Sequence, residues 1–454
     1  MKILVQKFGG TSVATPENRD LCAAKVVQAK EDGYSPVVVV SAIGRKGAPY
    51  ATDTLIDELR SVDPATKPDL HEYDMIVTVG EVISTAIMAQ LLRSKGYPAK
   101  SMTGYQAGII TDDRHGDARI QRIDPRYVMK ALEQGIIPVV AGFQGVSEPD
   151  SPDHHPEITT LGRGGSDTTA AALGAALGAS AVEIYTDVNG VMTADPKIVK
   201  DAVTLDTVTY LEIAETAHLG AKVLHPRAAE IAMDYNIPLW VKDTFTNERG
   251  TLVTHVETPP KWPRVTGVTS SGKVVYFDFI VGEPRDKARI ELELFRLFAA
   301  SKVSIYMISA SPTSVGFAVE RSLLPRIQEM LQGLIIPTEL PDGSLRWYIL
   351  SLGDSAGLQG QRALMDRFAD RIDLRVVEAT MTENCSVVSM ISGQILKTPA
   401  VLAEVAETLD AAGVEIYQIA DTEYSLSLLV LESEAERAVQ ALHAHFVGQR
   451  PESI

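Results

Sequence analysis

The chain has 454 residues, 45% of them hydrophobic and 22% charged, with a formal net charge of −17 at pH 7. Those proportions belong to folded domains, and the length calls for two or three cores rather than one. So negative a surface repels phosphate backbones and anionic membranes unless a local basic patch offsets it, and the sequence shows none, so neither nucleic acid nor membrane is an expected partner.

The N-terminus, "MKILVQKFGG", lacks a long apolar core and a small-residue cleavage site, and no run approaches 18 apolar residues, so secretion and membrane spanning are not expected. Cys22 and Cys385 lie far apart in apolar-periodic surroundings, which predicts reduced, buried thiols in a cytoplasmic protein.

From Met1 to about Val256, short apolar runs alternate with helical patterns, the signature of a mostly parallel sheet covered by helices. The expected strands are "KILVQKF", "PVVVVSA", "IPVVAGF", "VEIYTDV" and "IPLWVKD". Thr15-Pro16-Glu17 caps a helix that stops at Gly33, and a longer helix spans Asp74 to Gly96. Prolines in "ETPPKWPRVTG" mark a linker. Beyond it, "KVVYFDFIV", a helical "DKARIELELFRLFAASK", "VSIYMISA", "SVGFAVE" and a helical "LLPRIQEMLQG" give strand, helix, two strands, helix. The same order returns in "SVVSMISG", "PAVLAEVAETLDAAG", "VEIYQIAD", "SLSLLVLE" and "SEAERAVQALHAHF", so two copies of one α+β unit are expected. The expected division is 1–256, a linker at 257–266, one copy at 267–336, a connecting segment of no assigned role at 337–383 with a "PDGS" turn and a helical "QRALMDRFADR", and the second copy at 384–450.

Several stretches of the first part can carry chemistry. In "VQKFGGTS", Lys7 ends an apolar strand and Gly9-Gly10 follow, which makes either a tight strand-to-helix turn or an anion nest with a full charge beside it. In "GRGGSD", Arg163 stands in a second glycine loop at a helix start, with Ser166 or Asp167 placed to cap that helix. Its guanidinium can fork onto a carboxylate or phosphate, or simply be solvated. "YTDVNGVMTADPK" puts Thr186 and Asp187 at the end of a buried strand, where a carboxylate can hold Mg²⁺ or form a turn. "GAKVLHPRAAE" adds Lys222, with His225-Pro226 opening the next helix. Together these groups suit phosphoryl transfer, which needs positive charge, a metal and alignment more than covalent chemistry. A carboxylate acceptor is ionised at neutral pH and needs no general base, so the nine histidines need not be recruited. His115 is expected to be structural, and His154 and His155 have no third ligand at metal spacing. Arg163 would grip an acidic acceptor, and Glu81, in "TVGEVIS", either accepts its ammonium or is an ordinary exposed helix residue.

The series "VQKFGGTS", "SAIGRKGAPYATDTL", "TVGEVIS", "GYQAG", "VAGFQG", "TTLGRGGSDTTAAALGAAL", "YTDVNGVMTADP" and "GAKVLHPRAAEIA" resembles, in order over about Met1 to Leu252, the motifs of aspartate kinases in the amino-acid kinase family. The resemblance implies an α/β amino-acid kinase fold, a mostly parallel central sheet sandwiched by helices, followed by two α+β ACT-type (βαββαβ) domains. It implies that Lys7, Phe8, Gly9 and Gly10 hold ATP phosphates, and that Thr186, Asp187, Met192, Thr193, Ala194, Asp195, Pro196, Lys197 and Lys222 complete the nucleotide site. Lys197 stands where relatives often carry arginine. Thr52, Glu81, Arg163, Gly164, Gly165 and Ser166 would hold L-aspartate, with Lys7, Asp187 and Lys222 as the catalytic groups and Asp187 as the Mg²⁺ ligand. The implied reaction takes ATP and L-aspartate to ADP and 4-phospho-L-aspartate, the entry to lysine, threonine, methionine and diaminopimelate. The resemblance also implies a homodimer and an end-product amino acid at the ACT domains. There the sequence reads "GEPRDKARI" and "GQILKTPAV" where a Gly-Pro-Gly or His-Pro-Gly turn is usual. "GRKGAPYATD" resembles enzymes responsive to diaminopimelate. Other acceptors within the fold, glutamate or a nucleoside monophosphate, and a non-catalytic amino-acid sensor are the alternatives.

Overall fold

The computed structural model describes residues 1–148, 155–220, 223–255, 265–301, 303–340, 342–352, 373–393 and 399–448. The chain divides into two compact units, chiefly Met1–Gly267 and chiefly Val268–Gly448, and each is described by itself.

In chain order the first unit holds β1 (Ile3–Phe8), α1 (Pro16–Glu31), β2 (Ser35–Val40), α2 (Thr52–Ser61), α3 (Leu70–Ser94), β3 (Ala99–Met102), β4 (Ile109–Thr111), β5 (Ile120–Ile123), α4 (Arg126–Glu133) and β6 (Ile137–Ala141). It continues with β7 (Gln144–Ser147), β8 (Ile158–Thr160), α5 (Gly165–Leu177), β9 (Ala181–Thr186), β10 (Thr207–Val208), α6 (Tyr210–His218), α7 (Pro226–Asp234), β11 (Leu239–Asp243) and β12 (Thr251–Val253). The main sheet has the order β10-β12-β11-β9-β1-β2-β6-β3, and β4, β5, β7 and β8 form a smaller sheet. All five strands expected from apolar runs sit in the main sheet, parallel to their neighbours except where β11 meets β12.

Burial on both faces explains why these strands are mostly apolar. On one face Val5, Val37, Val39, Val182 and Ile184 pack against Ala170, Ala171 and Leu173 of α5. On the other, Phe8, Val38 and Val40 pack against Cys22, Ala23 and Val26 of α1 and Met88 and Leu92 of α3. Thr15 accepts the N–H of Asn18 and caps α1 as expected. The long helix begins at Leu70, four residues earlier than its apolar pattern, because Asp69 caps it by accepting the N–H of His71. By length and composition α3 could cross a membrane, but half of its apolar stretch is buried within the protein, and the helix carries buried Asp74 and Glu81.

The second unit holds β13 (Gly267–Ile280), α8 (Pro284–Ala300), β14 (Ile305–Ala310), β15 (Ser314–Glu320), α9 (Leu324–Leu331), β16 (Ile335–Glu339), β17 (Leu345–Leu352), β18 (Asp373–Ile391), α10 (Pro399–Ala411), β19 (Gln418–Asp421), β20 (Ser425–Leu431) and α11 (Ala435–Phe446). All the strands form one sheet, β14-β15-β13-β18-β17-β16, with β20 on β18 and β19 on β20. The segment without an assigned role is therefore structural in part: β16 and β17 make the expected hairpin, and Asp373–Ala379 of β18 runs parallel to β17. Tyr348, Leu350, Leu352, Val377 and Ala379 join the core of Phe277, Phe317 and Leu294. The "QRALMDRFADR" stretch and most of the proline-rich linker lie outside the described residues. Cys22 and Cys385 are buried and free, as expected.

Candidate active site

Because β1, β2, β6, β9 and β11 run parallel, their C-terminal ends meet on one edge of the sheet, where open α/β sheets receive ligands. Strand alternation sends Phe8 to the α1 face, where it stacks on Tyr185 at 4.9 Å, and Lys7 to the α5 face. Lys7 is only 9% exposed, and its Nζ lies 2.7 Å from Asp167 Oδ1 on the first turn of α5. The chain then turns at Gly9, whose N–H donates to Tyr185 O at 3.3 Å. A Cβ at Gly10 would stand 2.8 Å from Gly44 O and 2.9 Å from Ala42 O, so glycine is what lets the loop after β2 cross so closely.

That loop carries three connections. Ser41 Oγ donates to Ser166 Oγ at 3.0 Å, and Ala42 N–H donates to Glu81 Oε1 at 3.1 Å. Arg45 Nη2 reaches Asp187 Oδ2 at 2.7 Å, while Thr186 Oγ1 donates to the other oxygen of Asp187 at 3.3 Å. Thr52 opens α2 just beyond the loop. From β11, Thr244 N–H donates to Thr186 O, and Thr244 Oγ1 lies 2.7 Å from Ser12 Oγ.

The "GRGGSD" loop is left-handed on both sides of the arginine, with φ of 74° at Gly162 and 71° at Gly164. Gly164 itself is the cap of α5, and no side chain caps that helix. Ser166 and Asp167 are thus not caps: Ser166 accepts from Ser41, and Asp167 pairs with Lys7 and accepts the His225 N–H at 3.4 Å. The Gly165 N–H donates to Gly162 O at 3.1 Å and the Asp167 N–H to Gly164 O at 3.0 Å, and the positive end of the helix dipole at this loop is a suitable place for an anion. Arg163 is exposed and makes no ion pair with any described residue. Gly165 is buried beneath it, and a Cβ there would meet the Phe143 ring at 2.8 Å.

Glu81 is not the exposed helix residue that remained open from sequence. It is 2% exposed, Oε1 accepts the Ala42 N–H, and Oε2 is buried without a partner among the described residues. Burial pushes its pKa up to about 8, against the pull of the Ala42 hydrogen bond. After Asp187, Thr193 and Ala194 are buried, Met192 is half-buried, and Asp195, Pro196 and Lys197 are exposed in a turn where Asp195 accepts the Lys197 N–H. The structure therefore joins Lys7, Phe8, Gly9, Gly10, Glu81, Ser166, Thr186 and Asp187 at one sheet edge and sets residues 192–197 on the loop that follows. Lys222 lies outside the described residues.

Residues 2–243 match the family model described as the amino acid kinase family, and residues 380–444 match an ACT domain. Aspartokinase 1 of Bacillus subtilis is 36% identical over 98% of this chain and 99% of its own length. The aspartokinase of Mycolicibacterium smegmatis is 38% identical over 98% and 96%. The chain belongs to the aspartokinases of the amino acid kinase family. Among solved structures, E. coli aspartokinase III in complex with aspartate and ADP, described as the R-state, superposes with a TM-score of 0.71 at 25% identity, covering 98% of this chain and 99% of that one. The same enzyme with lysine and aspartate, described as the T-state, gives 0.67 at 24% identity over 98% and 99%, a likeness of fold.

From sequence, Ser41, Arg45 and Phe143 have no role of their own, and Asp167 has only that of a helix cap. Asp167 and Ser41 carry weak local signals, since a partner at the far end of another strand is invisible in one dimension. Phe143 holds φ of 69°, rare for a residue with a side chain, and its N–H donates to Thr169 Oγ1 while its carbonyl accepts the Leu161 N–H. The "VAGFQG" motif was its only trace.

Proposed function

We propose that this chain transfers the γ-phosphate of ATP to the β-carboxylate of L-aspartate, giving ADP and 4-phospho-L-aspartate. The observation that carries this reading is Glu81: a buried carboxylate with one orphaned oxygen suits an incoming ammonium, which an amino acid has and a nucleoside monophosphate lacks. Arg163, with Gly164, Gly165 and Ser166 at the head of α5 and Thr52 at the head of α2, takes the acceptor's carboxylate side. Lys7 and the Gly9-Gly10 turn hold the phosphates, with the Gly10 N–H as the backbone donor since that of Gly9 is held by Tyr185 O, and Lys7 stabilises the charge that shifts during transfer. Thr186, Asp187 and the 192–197 loop serve the nucleotide, with Lys222 assigned there by its motif alone.

Mg²⁺ fits this site. Asp187 and Thr186 are hard oxygen donors, and the carboxylate already draws one cation, the Arg45 guanidinium, so one carboxylate plus nucleotide phosphates makes a usual donor set. The ion would neutralise phosphate charge there. The acceptor carboxylate is ionised near neutral pH, and no side chain has to remove a proton from it.

The second unit is proposed to bind an end-product amino acid, for which the lysine in the T-state relative is a chemical precedent. A homodimer in the reducing cytoplasm is part of this reading, consistent with two buried free thiols. Hydroxamate trapping with ATP, Mg²⁺ and aspartate tests the activity, with glutamate and UMP as parallel acceptors. Acyl phosphate from aspartate is expected, and turnover of another acceptor with aspartate inert overturns the reading. A thermal-shift panel of lysine, threonine and meso-diaminopimelate identifies the effector.

A further inference from the structure

Asp74 is wholly buried, yet it carries a carboxylate that the reading above does not use. On α3 it stands seven residues before Glu81, two turns along, with Thr78 between at i+4, so the three share one face. Four donors converge on it: His115 Nδ1 at 2.8 Å, Gly116 N–H at 3.1 Å, and the N–H and Oγ1–H of Thr160, the former at 3.2 Å. A buried carboxylate costs several kcal/mol unless so satisfied, and those bonds hold whatever carries the donors.

What carries them leads to Arg163. Thr160 is the last residue of β8, three positions before the arginine. Its carbonyl takes the Ala118 N–H at 2.8 Å. The next carbonyl, Leu161 O, takes Arg227 Nη1 at 3.1 Å, and Arg227 Nη2 is held by Asp117 at 2.8 Å. Beyond that point come the two left-handed glycines, and the Gly165 N–H donates to Gly162 O at 3.1 Å, closing the turn that carries Arg163 directly onto the Thr160–Leu161 anchor.

We propose that Asp74 is a positioning residue for the acceptor site: through Thr160 it fixes the approach of the Arg163 loop, and through its own helix it fixes Glu81. One buried carboxylate thereby sets the spacing between the group that reads the acceptor's negative end and the group that reads its positive end. This rests on the assignment of Arg163 and Glu81 to the acceptor.

The test uses the full chain and measures KM for aspartate, KM for ATP, kcat and Tm. Thr160→Val removes one donor to Asp74 and keeps the N–H, Thr160→Ser restores the hydroxyl, and Asp74→Asn changes the hub itself. Thr160→Val is expected to raise the aspartate KM about tenfold, as loss of a hydrogen bond to a charged group does, with the ATP KM within about twofold. Thr160→Ser should return the aspartate KM to wild type, and Asp74→Asn, where it folds, should exceed Thr160→Val. On an Arg163→Ala background, Thr160→Val should add less than about twofold, because both act through one group. A fall in Tm with both KM values unchanged, or an equal rise in both, overturns the proposal. If Arg163→Ala itself leaves the aspartate KM unaltered, the acceptor-site reading falls and takes this proposal with it. A strong Arg163→Ala effect with a silent Thr160→Val removes the positioning role alone.

Discussion

Lys7 at the end of β1 and Asp167 on the first turn of α5 form an ion pair of 2.7 Å with both side chains about nine-tenths buried. The pair joins the two glycine-bearing turns that the sequence presents 160 residues apart, and it leaves Lys7 with a carboxylate where a phosphate is expected. Removing one partner of a buried pair strands the other charge, at a cost of about 3 kcal/mol or more. Asp167→Asn should therefore lower Tm without nucleotide, and ATP with Mg²⁺ should raise it more in the variant than in wild type, since phosphate then supplies the missing anion. Equal ATP-induced shifts in the two proteins would separate Lys7 from the phosphates.

Lys7→Ala removes a cation at the point where charge shifts during transfer. Turnover should fall by about a hundredfold or more while both KM values move less, because the interaction strengthens in the transition state. Steady-state kinetics decide this, and an unchanged kcat speaks against the role.

Arg163→Ala should raise the aspartate KM strongly and leave the ATP KM nearly alone, since a charge-assisted fork contributes about 2 to 3 kcal/mol. If ATP affinity collapsed instead, the arginine would belong to the nucleotide.

Gly164→Ala tests the loop itself. Its φ of 71° disfavours a side chain, and a Cβ would stand 2.2 Å from the His225 ring. Either the head of α5 shifts or His225 does, so the variant should lose stability and most activity together, measured by thermal unfolding and acyl-phosphate yield.

The sequence made legible what burial on two faces writes into it. β2 and β6 appear as almost wholly apolar runs, and β1, β9 and β11 as apolar runs interrupted by Gln6, Lys7, Glu183 and Lys242, whereas β4, β5, β7 and β8 have three or four residues each, too short for any period to show. β18 was only half read: its second part is the apolar "SVVSM", but Asp373–Ala379 alternates exposed and buried residues beside β17 and resembles connecting chain. Strand pattern put Lys7, Thr186 and Asp187 at strand ends, and the structure sets those ends on one sheet edge, but motif order stops there. It could not supply Asp167 as the partner of Lys7 or the burial of Glu81, because both depend on contacts between segments far apart in the chain.

Glu81 gives the reading its pH signature. Its folded pKa, about 8, stands above the ordinary 4.5, so the carboxyl is mostly protonated at pH 7 in the empty site. Its contribution to stability is fully present below about pH 4.5 and lost as pH rises through about 8, where burial opposes the charge. An arriving ammonium reverses that preference, so binding of aspartate at pH 7 should release a proton. The aspartate KM should therefore fall as pH rises from 6 toward 8, with heats of binding at pH 7 that vary with the ionisation enthalpy of the buffer. Glu81→Gln should lose both behaviours, raise the aspartate KM at every pH, and surpass wild type in Tm at alkaline pH without substrate. A wild-type aspartate KM that is flat across this range, with buffer-independent heats, would mean that Glu81 keeps one protonation state throughout and does not receive the ammonium.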